Sequence, residues 1–431
     1  MITLVFFFSF FVVLSFCSNH TLMVIILIEF LVLYRFFTIF SYSSSWVLYG
    51  FFYVDYISFF LLFMTFWILL FCLLLSSSFL DSVFIHFILV LLIMCFFFQS
   101  YFSFFISFEV VFFLIFIYVF IIGSSIERMQ ASFYMFFYTL LFSLPFLLGI
   151  ISYYRRGYSS FFSLLFLENV DFFWVFIFIV FCVKLPLFGL HLWLPKAHVQ
   201  APLLGSMLLA GVLLKLGGYG ILRFFPFLRH FRFSSSFFCD FLFYVSFYGG
   251  IVVCLICLRQ RDLKILIAYS SVVHISMIFA GLLRFSFLGV FGSFLILISH
   301  GFVSSIIFFL MTVYYNSLHS RRVFLLKGLL SFSPILVLFW FSRSFLNIGV
   351  PPFMSFFSEI IIISSFSFFN LFSLFLLVFF LFFAGVYCVL IYVYPVYGVS
   401  TLLSDFLFSF KDIFLSFLHL FFLLLFPFVF F

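Results

Sequence analysis

WVFIFIVFCVKLPLFGLHLWLPKAHVQAP, residues 174–202, decides how the whole chain is read. An unbroken apolar run leads straight into Lys184, and Pro186 follows two positions later. In a water-soluble domain such a run would sit in a core and its lysine at an edge. The rest of the chain gives it no such edge. Of 431 residues, 68% are hydrophobic and 7% are charged, against roughly 25% charged in a soluble domain. That leaves too little polar surface for a water-facing protein, and apolar runs of spanning length recur from end to end. Unpaired backbone N–H and C=O groups are too costly in lipid, so a spanning segment is a helix or a strand of a closed barrel. The runs are continuous and lack the alternation of barrel strands. The expectation is an all-α polytopic membrane protein.

Working outward, polar punctuation divides the chain into about 14 spans at roughly 20 residues per crossing. They fall at 2–17, 21–40, 51–79, 82–98, 100–122, 130–152, 172–191, 203–222, 241–258, 265–283, 286–313, 328–349 continuing to 366, 371–394 and 405–430. The gaps carry serine, arginine and lysine, as in SSIERMQ, YYRRGYSS and RQRDLK, and none is long enough for a soluble domain. Orientation follows the bases outside span centres. Arg128, Lys196, Arg259, Arg261, Lys264, Arg321, Arg322, Lys327 and Lys411 are expected on one side. Arg35, Arg155, Arg156, Arg223, Arg229, Arg232 and Arg284 are expected on the other. The excess leans toward the first side facing the compartment of synthesis.

The net charge of +7 does not point to nucleic acid, because the bases are scattered between apolar runs and form no basic face. The eight cysteines are scattered as well. Cys254 and Cys257 form a CxxC without a second ligand pair and read as packing residues. The opening MITLVFFFSFFVVLSFCS has neither a basic n-region nor the Arg- and Ser-rich look of a transit peptide, and reads as the first span. So apolar a chain without a targeting segment is expected to be made beside its membrane. The 91 phenylalanines fit a T-rich organellar coding strand and say little about mechanism.

Two spans are expected to be broken. Pro186 interrupts the seventh, and Pro351 and Pro352 the twelfth. A proline removes a donor and frees the carbonyl four residues back, here those of Cys182, Asn347 and Ile348. Such backbone is tolerated where protein buries it or a wet cavity lines it. Interrupted spans at corresponding places in two halves point to an inverted-repeat transporter. The expected organisation is N-terminal helices at 1–81, a first repeat at 82–240 (helices 4–8), a second inverted repeat at 241–398 (helices 9–13) and a C-terminal helix at 399–431.

Six ionisable residues fall near span centres: Glu109, Lys184, Lys215, His274, His300 and Glu359. A Lys or Asp at a helix centre costs roughly 2.5–3.5 kcal/mol on insertion scales, and such residues usually mark ion paths or proton relays. Each has a bland alternative. A lone histidine can be a hydrogen-bonding core residue, Glu109 and Lys184 a static ion pair, and Lys215 among Gly211, Gly217 and Gly218 a mark of close packing. The set argues more strongly than its members, because carboxylates, amines and imidazoles together span the chemistry of proton relay. Lys184 beside Glu109 would be a switchable proton site, with access through the Pro186 kink. His191 and His198, near Trp193, Pro195 and Lys196, suit a helix end at the interface or an access path.

KLPLFGLHLWLPKAHVQAPLLGSMLLAGVLLKLGGYGILR (184–223) resembles the chain-4 family of mitochondrial NADH:ubiquinone oxidoreductase, respiratory complex I. So do FEVVFFLIFIYVFIIGSSIERMQASFYMFFYTLLFSLPFLLGI (108–150), RQRDLKILIAYSSVVHISM (259–277), ISHGFVSSIIFF (298–309) and LNIGVPPFMSFFSE (346–359). The resemblance covers about two-thirds of the chain and is weak over the first hundred residues. It implies fourteen transmembrane helices with two inverted five-helix repeats and broken helices 7 and 12. It implies an antiporter-like subunit that moves protons as part of an NADH:ubiquinone reductase. Glu109 matches the family's helix-5 glutamate, Lys184 its helix-7 lysine and Lys215 its helix-8 lysine. His274 and His300 match the histidines of helices 10 and 11, and Glu359 the helix-12 glutamate. The implied setting is the mitochondrial inner membrane, with an organelle-encoded chain among other membrane subunits of complex I, neighbouring antiporter-like chains and lipids. NADH, FMN, iron–sulfur clusters and ubiquinone belong to the complex. This chain has no flavin motif, cysteine cluster or dinucleotide fingerprint, and no cofactor is expected on it. One departure is Gln200, where the family usually has glutamate; it is expected near a helix start, off the central row.

Three rival readings remain. A subunit of a multi-subunit cation/proton antiporter shares the fold and the Glu–Lys axis. A haem-binding electron carrier would use His274 and His300 as axial ligands. A structural scaffold would leave six mid-membrane ionisable groups without purpose.

Overall fold

The structure is a computed structural model that describes residues 46–48, 52–76, 78–123, 126–155, 173–225, 236–318, 320–325, 327–366, 371–398 and 410–425. The spans expected at 2–17 and 21–40 lie outside these residues. The described chain is helical apart from a small hairpin, in which β1 (Trp46–Leu48) pairs antiparallel with β2 (Phe52–Val54). The hairpin shortens the span expected at 51–79, because helix α1 starts only at Tyr56 and ends at Leu75. Asp55 sets that start. Its side chain accepts from the Ser58 N–H at 3.2 Å, and the Ser58 hydroxyl accepts from the Asp55 N–H at 2.9 Å. These two bonds satisfy donors that a helix leaves open at its N-terminus.

Helices α2 (Phe79–Phe97), α3 (Tyr101–Ile122) and α4 (Arg128–Arg155) follow. Ser78 and Ser100 cap α2 and α3 through their side chains. The seventh expected span breaks: α5 (Phe173–Lys184) ends at the lysine, and a separate short helix α6 (Trp193–Gln200) follows an irregular turn. The next span, α7, runs from Leu203 to Arg223 and contains a π-helical turn at Leu209–Leu213. Then come α8 (Ser236–Leu258), α9 (Leu263–Leu283) and the long α10 (Phe287–Leu318). The twelfth expected span resolves into a single turn α11 (Leu329–Phe332), α12 (Pro334–Ile348) and α13 (Met354–Phe366). Helices α14 (Leu371–Val396) and α15 (Phe410–Leu425) close the described chain.

Among the described residues, nine helices are long and apolar enough to cross a membrane. The chain is a multi-pass helical membrane protein. Burial separates the spans into two kinds. The apolar windows of α7 and α10 are entirely buried inside the protein, whereas that of α14 is 28% buried. Helices α7 and α10 therefore form the axle of the bundle, and α14 presents Phe372, Phe375, Val378 and Phe382 outward. An outward apolar face is what lipid requires, since the driving force there is packing and not exclusion of water.

The two membrane sides are tied by different means. At one, Arg223 at the end of α7 clamps Asp55 with two bonds, of 2.5 and 2.6 Å. Burial alone would push the Asp55 carboxyl up, but the Arg223 charge and the bonds from Arg223 and Ser58 hold it below its ordinary value. At the other, cations cap the end of α6. Lys264 donates to the carbonyls of Val199 and Ala201 at 3.2 and 2.7 Å, and Arg321 donates to Val199 at 3.0 Å. Backbone bonds between residues 261–263 and 321–323 join the same region. Lys264, Arg261, Arg321 and Arg322, expected on one side from charge counting, are thus brought to one place.

Candidate functional site

Lys184 is the last residue of α5, and the local backbone explains how it is held. Pro186 has no N–H to give, so the Cys182 carbonyl was expected to be free. It instead accepts from Leu187 N–H at 3.0 Å, one residue further on. The Val183 carbonyl accepts from the Trp193 indole at 3.1 Å. Both carbonyls are thus satisfied by protein groups. Helix α7 passes close against it. A Cβ at Gly217 would lie 3.1 Å from the Leu185 nitrogen and 3.3 Å from the Lys184 carbonyl carbon, so a larger residue would push the two helices apart.

The Lys184 amine lies 3.2 Å from a carboxylate oxygen of Glu109 on α3. Lys184 is 1% exposed and Glu109 19%. The amine also sits 3.3 Å from the centre of the Phe112 ring and 4.8 Å from that of Phe108, both also on α3. A desolvated ammonium over an aromatic face gains about 2 kcal/mol. The pair is in contact but poorly aligned for a hydrogen bond. Charge attraction and ring contact hold it, and little else has to break for it to open.

Lys215 lies just past the π turn of α7. Its amine reaches back to donate to the Ala210 carbonyl at 2.5 Å, an acceptor that the widened turn leaves accessible. The same amine is 3.1 Å from Nδ1 of His300 on α10. The His300 ring packs on that of His274 on α9, with centroids 5.3 Å apart and planes at 33°. Nε2 of His274 meets the Tyr387 hydroxyl of α14 at 3.5 Å. Lys215, His300 and His274 are therefore one connected group. The rings rest on each other, an arrangement that does not favour the haem reading. Either nitrogen of the Lys215–His300 contact can carry the proton, since a lysine amine and an imidazole nitrogen can each donate or accept depending on protonation.

Glu359 stands apart from the other five. It lies on α13, and its carboxylate rests against Gly349 in the break between α12 and α13. A Cβ at Gly349 would come within 2.6 Å of a carboxylate oxygen, and the residue's φ of +79° is a conformation that favours glycine. The Leu346 carbonyl, at the end of α12, accepts from the Ser355 hydroxyl at 2.9 Å.

The structure also places the residues that neighbour the break. Gln200 is the last residue of α6, just before α7 starts at Leu203, and its amide donates to Glu127 at 2.9 Å, away from the buried row. His191 and His198 were placed at an interfacial helix end or on an access path. Both are buried, at 5% and 0% exposure. His198 stacks on Phe308 at 4.8 Å, and neither of its ring nitrogens has a hydrogen-bond partner. Two further groups were not singled out from sequence. His419 on α15 is fully buried, with Nδ1 accepting from Trp67 at 3.3 Å and Nε2 at 3.0 Å from the Phe302 carbonyl. An indole N–H only donates and a carbonyl only accepts, so the proton is on Nε2 and the ring is neutral. Arg343 on α12 is 1% exposed and donates to the Ser416 carbonyl at 2.6 Å, while Nε and Nη1 have no partner. A lone basic residue inside the apolar runs FWFSRSFLN and SFLHLFF was the available signal. Among the described residues, no group of three His, Cys, Asp or Glu side chains is placed to hold a metal ion.

Residues 98–386 match the family model described as NADH:quinone oxidoreductase/Mrp antiporter, TM. The chain is 39% identical over 301 residues to NADH-ubiquinone oxidoreductase chain 4 of Ceratitis capitata, covering 69% of this chain and 67% of that one. It is 35% identical over 400 residues to the chain 4 of Locusta migratoria, covering 89% and 88%. Among solved structures, it is similar to a chain of respiratory complex I from Thermus thermophilus, with a TM-score of 0.78, 18% identity, and 87% and 81% of the two chains covered. It is also similar to a chain of the archaeal membrane-bound sulfane sulfur reductase, with a TM-score of 0.82, 18% identity, and 99% and 94% covered. A chain of the Mrp complex from Dietzia is similar with a TM-score of 0.69, 19% identity, and 81% and 68% covered. At these identities the structural likenesses establish the fold alone.

Proposed function

Because the chain belongs to the NADH:quinone oxidoreductase/Mrp antiporter membrane family, we propose that it is a proton-translocating membrane subunit of a respiratory NADH:ubiquinone oxidoreductase. It works with other membrane subunits of that complex, and its setting is the mitochondrial inner membrane. NADH, FMN, iron–sulfur clusters and ubiquinone are handled by other subunits, and this chain's part is to hold and pass protons. The repeats at 82–240 and 241–398 each contribute one broken helix to this task.

One observation carries the reading: two buried basic centres sit on adjoining helices of the bundle. Glu109 and Lys184 form the first at 3.2 Å, and Lys215, His300 and His274 form the second. In the first, the carboxylate holds the ammonium in place. When Glu109 takes up a proton or moves away, Lys184 is left as a desolvated charge, and losing its proton relieves that cost. In the second, the proton moves between an amine and an imidazole already in contact. Glu359 is the acidic group at the far end. The six residues together give a lateral path inside the membrane, reached from the aqueous phases at its ends.

The test combines assembly and pumping. Solubilised membranes are run on a native gel, and this chain's peptides are expected in a large NADH-oxidising band. Peptides confined to a small band without that activity favour a cation/proton antiporter complex. In vesicles holding the assembled complex, Lys184→Ala is expected to lower NADH-driven proton uptake more than tenfold, and normal uptake overturns the reading.

A further inference from the structure

The polar path has an unexplained gap between His274 and Glu359, since the two residues share no contact. Three side chains occupy the region between their helices. Tyr387 on α14 is fully buried and points its hydroxyl at Nε2 of His274, 3.5 Å away. The hydroxyl also lies against the thiol of the next residue, Cys388. That thiol accepts from the Asn347 amide of α12 at 3.6 Å. Asn347 lies two residues before Gly349, the residue on which the Glu359 carboxylate rests. A phenol, a thiol and a carboxamide thus run from the imidazole to the broken helix.

A buried tyrosine needs a partner for its hydroxyl, and packing alone would be served by phenylalanine. The hydroxyl has one donor and two acceptor positions, so it can take a proton on one side while releasing its own on the other.

We propose that Tyr387 is the relay residue that joins His274 to Glu359, with Asn347 and Cys388 positioning its hydroxyl. The proton on His274 Nε2 passes to the phenolic oxygen as the original phenolic proton leaves toward the Glu359 carboxylate, through water in the remaining gap. His274 starts as the imidazolium and becomes neutral as its Nε2–H bond breaks and a new O–H bond forms on Tyr387. The old phenolic O–H bond breaks and one forms on Glu359. The phenol is neutral before and after, and no redox partner is involved. This inference rests on the proton-translocating reading above and adds a residue to it.

The experiment measures NADH-driven proton uptake in vesicles containing the assembled complex, with complex content set by immunoblot of native gels. Tyr387→Phe keeps the ring and removes only the hydroxyl; Glu109→Gln serves as the reference. The expected result is at least a tenfold loss of uptake in both variants at undiminished complex content. Loss in Glu109→Gln with full uptake in Tyr387→Phe overturns the relay and leaves the proposed function standing. Full uptake in Glu109→Gln overturns the proposed function itself. If Tyr387→Phe does not assemble, Cys388→Ala is compared with Cys388→Ser. A severalfold lower uptake in the alanine variant supports the bridge, and equal uptake in the two overturns it.

Discussion

Lys184 and the Lys215–His300 contact are both buried, and the two lysines solve the cost of burial in opposite ways. The first matches a cation with a carboxylate and lines the site with the Phe108 and Phe112 rings. The second has no carboxylate in contact and relies on a backbone carbonyl freed at a π turn and on imidazole nitrogens. A charge pair resists the loss of either member, because the survivor is left uncompensated in low dielectric. The second group tolerates loss of an imidazole better, because Lys215 keeps the Ala210 carbonyl when His300 is removed. The lesson is that one chain can bury basic groups in two ways, by an opposite charge or by carbonyl and imidazole contacts.

Four substitutions sharpen or break this contrast. Glu109→Gln is expected to have the largest effect, because it strands the Lys184 ammonium. Breaking a buried pair costs about 3–5 kcal/mol, so thermal inactivation of the assembled complex should shift strongly as uptake falls. An unchanged inactivation temperature would mean that the pair is not buried in the working complex. His300→Leu should cost less, about 1–3 kcal/mol for one lost buried hydrogen-bond partner, since Lys215 keeps the Ala210 carbonyl. It should still reduce proton uptake more than tenfold. A stability loss equal to that of Glu109→Gln would erase the distinction between the two sites. Gly349→Ala comes third. The left-handed backbone and the approach to Glu359 predict about 1–3 kcal/mol of strain, read as a lower inactivation temperature. Gln200→Glu should be the smallest, because it only sets a second carboxylate beside Glu127 near the surface. A change of about 0–1 kcal/mol and uptake within twofold of wild type are expected, and a large loss would place Gln200 on the proton path.

Much of this was legible in the sequence. Continuous apolar runs marked α2, α3, α9 and α10 closely, and Pro186 and Pro351 marked the two breaks. The six ionisable residues stood out because each interrupts an apolar run. Other features were hidden for definable reasons. The second strand of the hairpin before Tyr56 was read as part of a span because FFYV is as apolar as the helix that follows. The π turn at Leu209–Leu213 leaves no compositional mark. The burial of His198 against Phe308 of α10 was hidden because Trp193, Pro195 and Lys196 surround it in sequence. Arg343 and His419 are single polar letters whose meaning depends on Ser416, Trp67 and Phe302, all distant along the chain.

The sequence by itself determined that this is a helical membrane protein with broken spans and ionisable residues inside apolar runs. Those properties follow from a local penalty, because each unpaired backbone or charged group in lipid costs energy wherever its segment sits. Only the tertiary structure decided which of those groups touch. The Lys215–His300 contact joins residues 85 apart, and Tyr387 meets His274 across 113. Nearly equal apolarity makes one span's surface look like another's along the chain. What selects the neighbours is the fit of small and large side chains where helices cross, as at Gly217 against the Lys184 break.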